Sequence, residues 1–265
     1  MALYFSERIV QYVYKFRPMS EGSKEFTGRA ITHQELYFSN ARAFNDPFDC
    51  LPVVSTNATK KEFESYLGGF FERQYPGITR KQKIASVKEI SNDPQRNHKS
   101  KEVAQQLRAG LDQAMDIAGV LSLSKDPDHV LMWSHYADCH RGICLEFKVC
   151  EEQGFFTEAH DVKYQPTRPV FNMITGDHHE IGRDALLTKA DFWSYENEVR
   201  IVSPKRKPGV HRYPAPLLTG VIFGVNTSDA DKALVKEWVE SLEHEVTLSQ
   251  ASINPKNYSL DIKKI

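Results

Sequence analysis

Apolar residues alternate with polar ones in short runs at both ends of this chain and fall at helical spacing in its middle. Tyr12, Tyr14 and Phe16 recur every second residue, which predicts a strand, and Pro18 closes it. A short helix is expected over about 24–33. Leu36-Tyr37-Phe38-Ser39 reads as a second strand, and Phe44-Asn45-Asp46-Pro47-Phe48-Asp49 reads as a turn, because Asn, Asp and Pro each favour turn conformations. Phe63, Leu67, Phe70 and Phe71, then Val103, Leu107, Leu111 and Met115, stand at helical spacing in a stretch rich in Lys, Glu, Gln and Arg. They predict a lobe of two to four helices over 59–116, with the polar interval at 92–100 as a linker.

Strands are expected again at 119–124, 142–149, 161–164, 198–203, 220–225 and 245–248. Helices are expected at 130–137 behind a cap at Asp126 to Asp128, at 180–188, and at 231–241 with Ser228 or Asp229 as cap. Strands joined by hairpins and long excursions, without regular βαβ alternation, imply an α+β fold with a mixed or antiparallel central sheet. Neither GxGxxG nor GxxxxGK[ST] occurs, which argues against dinucleotide-binding and P-loop folds. The length, 265 residues, suits one domain over 1–265 with a helical insertion at about 59–117.

Charge is nearly balanced, 34 basic against 35 acidic residues, so no global field singles out nucleic acid or an anionic membrane as partner. No apolar run approaches the roughly 20 residues that span a bilayer. Glu7 and Arg8 stand where a signal peptide would be apolar, so a cytoplasmic protein without a membrane partner is expected. The four cysteines, Cys50, Cys139, Cys144 and Cys150, are too few and too scattered for a disulfide framework and are expected to be free thiols. His135, Cys139, His140 and Cys144 have a metal-like look but lack a second paired half-site, so buried cysteines beside a strand are the expectation.

The densest chemistry lies in Trp193-Ser194-Tyr195-Glu196-Asn197-Glu198-Val199-Arg200-Ile201. Read as a strand, Val199 and Ile201 enter the core while Glu196, Glu198 and Arg200 share the other face, with the two carboxylates about 7 Å apart over two strand rises. That separation suits two carboxylates with separate jobs around one substrate. Arg17, ending the first strand, offers a planar fork for a carboxylate or diphosphate. Ser39 and Asn45 can orient a ribose or an amide. Tyr37, Trp133, His135 and Tyr136 offer aromatic surface that can stack a flat ring.

These segments, with Leu131-Met132-Trp133-Ser134-His135-Tyr136-Ala137-Asp138-Cys139-His140-Arg141-Gly142-Ile143-Cys144-Leu145-Glu146-Phe147, resemble the motifs of a widespread bacterial family catalogued as domain of unknown function 2971. The order Arg, Ser, Glu-x-Glu is also similar to that of ADP-ribosyltransferases. That resemblance implies an ADP-ribosyltransferase-like fold, NAD as substrate, Arg17 on the NAD diphosphate, Ser39 on the nicotinamide ribose, Glu198 as catalytic glutamate and Glu196 orienting the acceptor. Here Ser39 is followed by Asn40 and Ala41 where the pattern has Thr and Ser.

The implied function is ADP-ribosyl transfer to RNA, DNA or protein, in the setting of a toxin with a cognate antitoxin or of an antiviral defence effector. Lys205-Arg206-Lys207, Arg168, Arg183 and His211-Arg212 are candidate phosphate contacts on the acceptor side. Two alternatives stand beside it. One is a metal-dependent nuclease or hydrolase using Asp46, Asp49, Glu196 and Glu198. The other is a non-catalytic binding or immunity module.

Overall fold

The alternation at the end of the Glu-x-Glu segment becomes the strand Glu198–Ser203, whose Val199 and Ile201 are fully buried in the core while Glu198 and Arg200 turn to the opposite face. The computed structural model describes residues 11–203 and 205–265. Glu7 and Arg8 lie outside the described residues.

In chain order the first elements are β1 (Tyr12–Arg17), α1 (Glu21–Thr32), β2 (Glu35–Phe38), β3 (Val53–Ser55), α2 (Lys60–Gln74), α3 (Arg80–Asn92) and α4 (Lys101–Ile117). Next come β4 (Gly119–Ser124), α5 (Val130–Tyr136), β5 (Ile143–Lys148), β6 (Ala159–Asp161), β7 (Lys163–Gln165), β8 (Val170–Asn172), α6 (His178–Leu186) and β9 (Thr188–Ala190). The last are β10 (Glu198–Ser203), β11 (Gly209–Arg212), β12 (Leu218–Phe223), α7 (Asp229–Glu240), β13 (Thr247–Ile253) and β14 (Leu260–Lys264). No helix among the described residues is long and apolar enough to cross a membrane.

The chain divides into two compact units. Among the described residues the first comprises 11–40, 118–164, 191–203 and 205–265. Its eight-stranded sheet runs β14-β13-β12-β5-β1-β4-β10-β6. The pair β12 and β13 is parallel and its other ladders are antiparallel, so the expected α+β fold with a mixed sheet is met. On one face Val13, Leu123, Leu145, Phe147, Val199, Val221 and Phe223 join Ile31 of α1 and Val235 of α7 in the main core. On the other face Phe16, Cys144 and Ile222 pack with Met132 and Trp133 of α5. Ser228 caps α7 by accepting the Asp231 N–H at 3.1 Å, one of the two caps that the sequence offered.

The second unit comprises residues 41–117 and 165–190. It holds the expected helices, three of them over 60–117, and extends beyond that stretch to take in β3 and β8, which pair in parallel, and α6. Reciprocal capping boxes, Thr59 with Glu62 and Thr79 with Gln82, start α2 and α3. Phe63, Leu67 and Ile174 form its apolar centre, and Lys189 and Asp49 form a buried ion pair at 3.6 Å.

Several boundaries differ from expectation. The strand expected at 161–164 divides into β6 and β7 around the buried Val162. The residue at the N-cap of α5 is His129, which makes no side-chain cap bond, rather than one of Asp126 to Asp128. The strands β3, β8, β9 and β11 have too few residues to stand out in the sequence, and partners distant in the chain create them, whereas β14 pairs with its neighbour β13.

Candidate functional site

The first unit holds a seam. One pair, Tyr14 opposite Ser124, sets the register between β1 and β4. Beyond it β1 stays paired with β5 as far as Arg17 opposite Ile143, while the edge of β4 is taken by Ser39, whose backbone exchanges hydrogen bonds with Val120 at 2.8 and 2.9 Å. The other edge of β4 pairs with β10, Ser124 opposite Glu198 and Ser122 opposite Arg200.

Alternation sends Lys15 and Arg17 to the face opposite Tyr14, and the Lys15 Nζ reaches the Ser122 carbonyl at 2.8 Å, across the seam. Burial and the neighbouring Arg17 charge pull the Lys15 pKa down to about 8, against the opposing pull of Glu198 and Glu196. Lys15 thus lies within electrostatic reach of the arginine and both glutamates. Arg17 is half-buried, its Nε is buried without a hydrogen-bond partner, and burial lowers its pKa. The end of β1 is gripped from behind: a Cβ on Gly142 would meet the Arg17 carbonyl oxygen at 2.2 Å. Counted from the common Tyr14–Ser124–Glu198 level, Arg17 lies on the face opposite Glu198 and its Cα stands at least about 14 Å from that of Glu198, by two strand spacings and three rises, and farther where β1 leaves β4.

Glu198 is held from three sides. The Arg200 Nε and Nη2 donate to its two carboxylate oxygens at 2.8 and 2.9 Å, and its backbone N–H donates to the Tyr164 hydroxyl at 2.8 Å. Both members of the ion pair are buried. Burial raises the Tyr164 pKa, and the Glu198 and Glu196 charges add to the rise.

Glu196 departs from the expected strand geometry. It ends a 3-10 helix over Asp191–Glu196, and Asn197 takes a left-handed backbone with φ of 43°, so the estimate of two strand rises does not apply. The left-handed turn is fixed by the Asn197 Nδ2, which donates to Asp126 Oδ2 at 2.8 Å, and by the Lys125 N–H, which donates to the Asn197 carbonyl at 3.0 Å. The buried Glu196 accepts from the Tyr136 hydroxyl at 2.7 Å, and Ser124 Oγ donates to its backbone carbonyl at 2.7 Å.

The aromatic candidates separate. Trp133 is core, not a stacking surface: it has no exposed area, it meets Phe16 edge-on at 5.2 Å, and its indole N–H donates to the Pro127 carbonyl. His135 is exposed on the same helix and lies against Tyr136 and Tyr195, and Tyr195 stacks on His129 at 5.3 Å. Tyr37 is exposed on β2. Ser39 stands four residues along β4 from the Glu198 level, about 13 Å of strand, toward the Arg17 end of the seam.

Asn45, Asp46 and Asp49 belong to the second unit. Asn45 is exposed, Asp46 accepts the Phe48 N–H at 2.9 Å in a local turn, and Asp49 is tied to Lys189. Among the described residues no group of three or more His, Cys, Asp and Glu side chains is placed to hold a metal ion. The lysine and arginine on Asp49 and Glu198 explain why acidic residues read as metal ligands are otherwise engaged. No disulfide joins the four cysteines, Cys144 lying within the sheet core and Cys139 at the surface.

Sequence reasoning overlooked Lys15, Tyr164 and the clamp of Arg200 on Glu198. The signal for Lys15 was present, since it and Arg17 are two residues apart on one strand and so share a face. Tyr164 gave none, because its place beside Glu198 depends on a chain excursion.

Residues 132–201 match the family described as Protein of unknown function (DUF2971), which bears out the resemblance over the segment that carries Trp133, His135, Tyr136, Glu196 and Glu198. No curated protein and no solved structure matches the chain.

Proposed function

We propose, with that family match and the seam as premises, that this protein is an NAD-dependent ADP-ribosyltransferase with an ADP-ribosyltransferase-like fold. The observation that carries the reading is Arg17, an arginine whose buried Nε lacks an acceptor, two residues along β1 from Lys15, which lies within electrostatic reach of Glu196 and Glu198. A diphosphate supplies such an acceptor and matches the guanidinium fork in two places.

Chemistry at Glu198 follows from its clamp. Arg200 orients the carboxylate through two hydrogen bonds, and a ribose hydroxyl would approach it there. As the bond from the ribose C1′ to nicotinamide breaks, its electron pair leaves with the nicotinamide nitrogen and positive character grows on the ribose. A carboxylate bound to the ribose hydroxyl favours that change. Glu196, oriented by Tyr136, would align the acceptor and take its proton as the new bond to C1′ forms. Arg17 and Glu198 lie on opposite faces of the sheet, so one ligand would have to engage both through the opening that β1 leaves beside β4 after Tyr14. His135 and Tyr136 would supply stacking surface. The acceptor would be RNA, DNA or protein, and a toxin or antiviral effector is the role that fits such a modification.

The test is incubation of wild type and Glu198→Gln with labelled NAD and cell extract, followed by separate recovery of nucleic acid and protein. The expected result is label in one fraction that the variant loses while it stays folded. Absence of both label and nicotinamide release from folded wild type would refute the assignment.

A further inference from the structure

We propose that Lys15 and Arg17 form a two-cation grip for the diphosphate. The proposal rests on the NAD reading above and adds a residue to it. Lys15 and Arg17 stand at alternate positions of one strand and so project to one face, with Cβ atoms about 7 Å apart. Among the described residues neither forms an ion pair, and the one partner of the lysine is the neutral Ser122 carbonyl. The arginine has a buried donor without any partner. Two neighbouring cations withdrawn from water without a carboxylate between them are costly unless an anion completes the site.

The groups that act on Lys15 set the sign of its pH dependence. Arg17 of β1 opposes its charge, whereas Glu198 of β10 and Glu196 at the end of the 3-10 helix favour it. Burial and Arg17 prevail, and together they pull the lysine pKa down to about 8. A bound diphosphate favours the charged form. Affinity is therefore full below that pH and falls as Lys15 discharges.

The experiment is calorimetric titration of the whole chain with ADP-ribose, whose diphosphate keeps the same charge from pH 6.5 to 9.5, and at pH 7 also with NAD and inorganic pyrophosphate. Wild type should weaken toward ADP-ribose as pH rises through 8. At pH 7 Lys15→Met should bind all three ligands roughly 10- to 100-fold more weakly, the range of one charge-assisted hydrogen bond, and should lose the pH dependence. Lys15→Arg should bind without that dependence. Should Lys15→Met fail to fold, the wild-type pH series alone decides.

Tight ADP-ribose binding that ignores pH and Lys15 would overturn the grip while leaving the NAD reading intact. Lysine-dependent pyrophosphate binding without NAD binding would uphold the grip and sink the NAD reading. Binding of none of the three by wild type would overturn both.

Discussion

Glu198→Gln removes one charge from a buried pair, and the structure sets what that does to stability before any question of catalysis. Arg200 is 1% exposed and Glu198 6%, so water cannot replace the lost carboxylate. Breaking a buried ion pair by removing one partner typically costs about 3–5 kcal/mol, because the remaining charge stays buried without compensation. Glutamine keeps one carbonyl oxygen able to accept from the guanidinium, which places the expected loss near the lower end, about 3 kcal/mol. For a chain of this size that is a fall in melting temperature of roughly 6–12 °C. Replacing both partners, Glu198→Gln with Arg200→Met, removes the buried cation together with the carboxylate and should recover most of the loss. Urea denaturation of wild type, both single variants and the double variant measures the cycle through midpoint shifts at constant slope. A Glu198→Gln protein within about 1 kcal/mol of wild type, or a double variant no more stable than it, would refute the description of the pair as a buried clamp.

Gly142→Ala should be destabilising by about 1–3 kcal/mol, since its Cβ would lie 2.2 Å from the Arg17 carbonyl and β1 must shift to admit it. ADP-ribose titration of the folded variant should show weakened binding, and unchanged stability by denaturation would show that β1 is not gripped there. The Lys15 pKa of about 8 lies below its ordinary 10.5, so between those values the unfolded chain binds more protons than the folded one, and the contribution of this group to stability rises with pH. Melting curves of wild type and Lys15→Met from pH 7.5 to 10.5 should show the difference between them shifting in favour of wild type as pH climbs. A constant difference would mean that the lysine is not depressed.

Much of the sheet was legible because its central strands are periodic over six residues: β4 and β10 fall where alternation placed them. Helix starts with a chemical signature, such as Ser228 before α7, were legible for the same local reason. The failures have another cause. Glu196 was read as strand because its neighbours are strand formers, but the hydrogen bonds that hold Asn197 left-handed come from Asp126 and Lys125, more than seventy positions earlier in the chain. Trp133 was read as a stacking surface, and its burial against Phe16 depends on how α5 lies on β1. Arg200 was placed on the face of Glu198 by alternation alone; that the two would clasp follows only from their burial.

The seam is where local rules stop being informative, and it is also where the candidate chemistry gathers. Inside a sheet each strand edge is satisfied by its neighbour, and backbone pairing keeps the two faces apart. At β4 one edge passes from β1 to the Ser39 bridge within five residues. A lysine Nζ bonds a backbone carbonyl in the interval, Ser122, on β4 itself. If the lysine substitutes there for a ladder donor, Lys15→Met leaves the Ser122 carbonyl in need of another partner as well as removing a charge. Lys15→Arg retains donors and charge but changes the reach. Binding should therefore follow the cation at residue 15, whereas the local opening of the seam, read by amide hydrogen exchange of β4, should follow whether the Ser122 carbonyl is satisfied. Equal exchange in wild type and both variants would show that the lysine serves charge alone and that the seam is held by the strands around it.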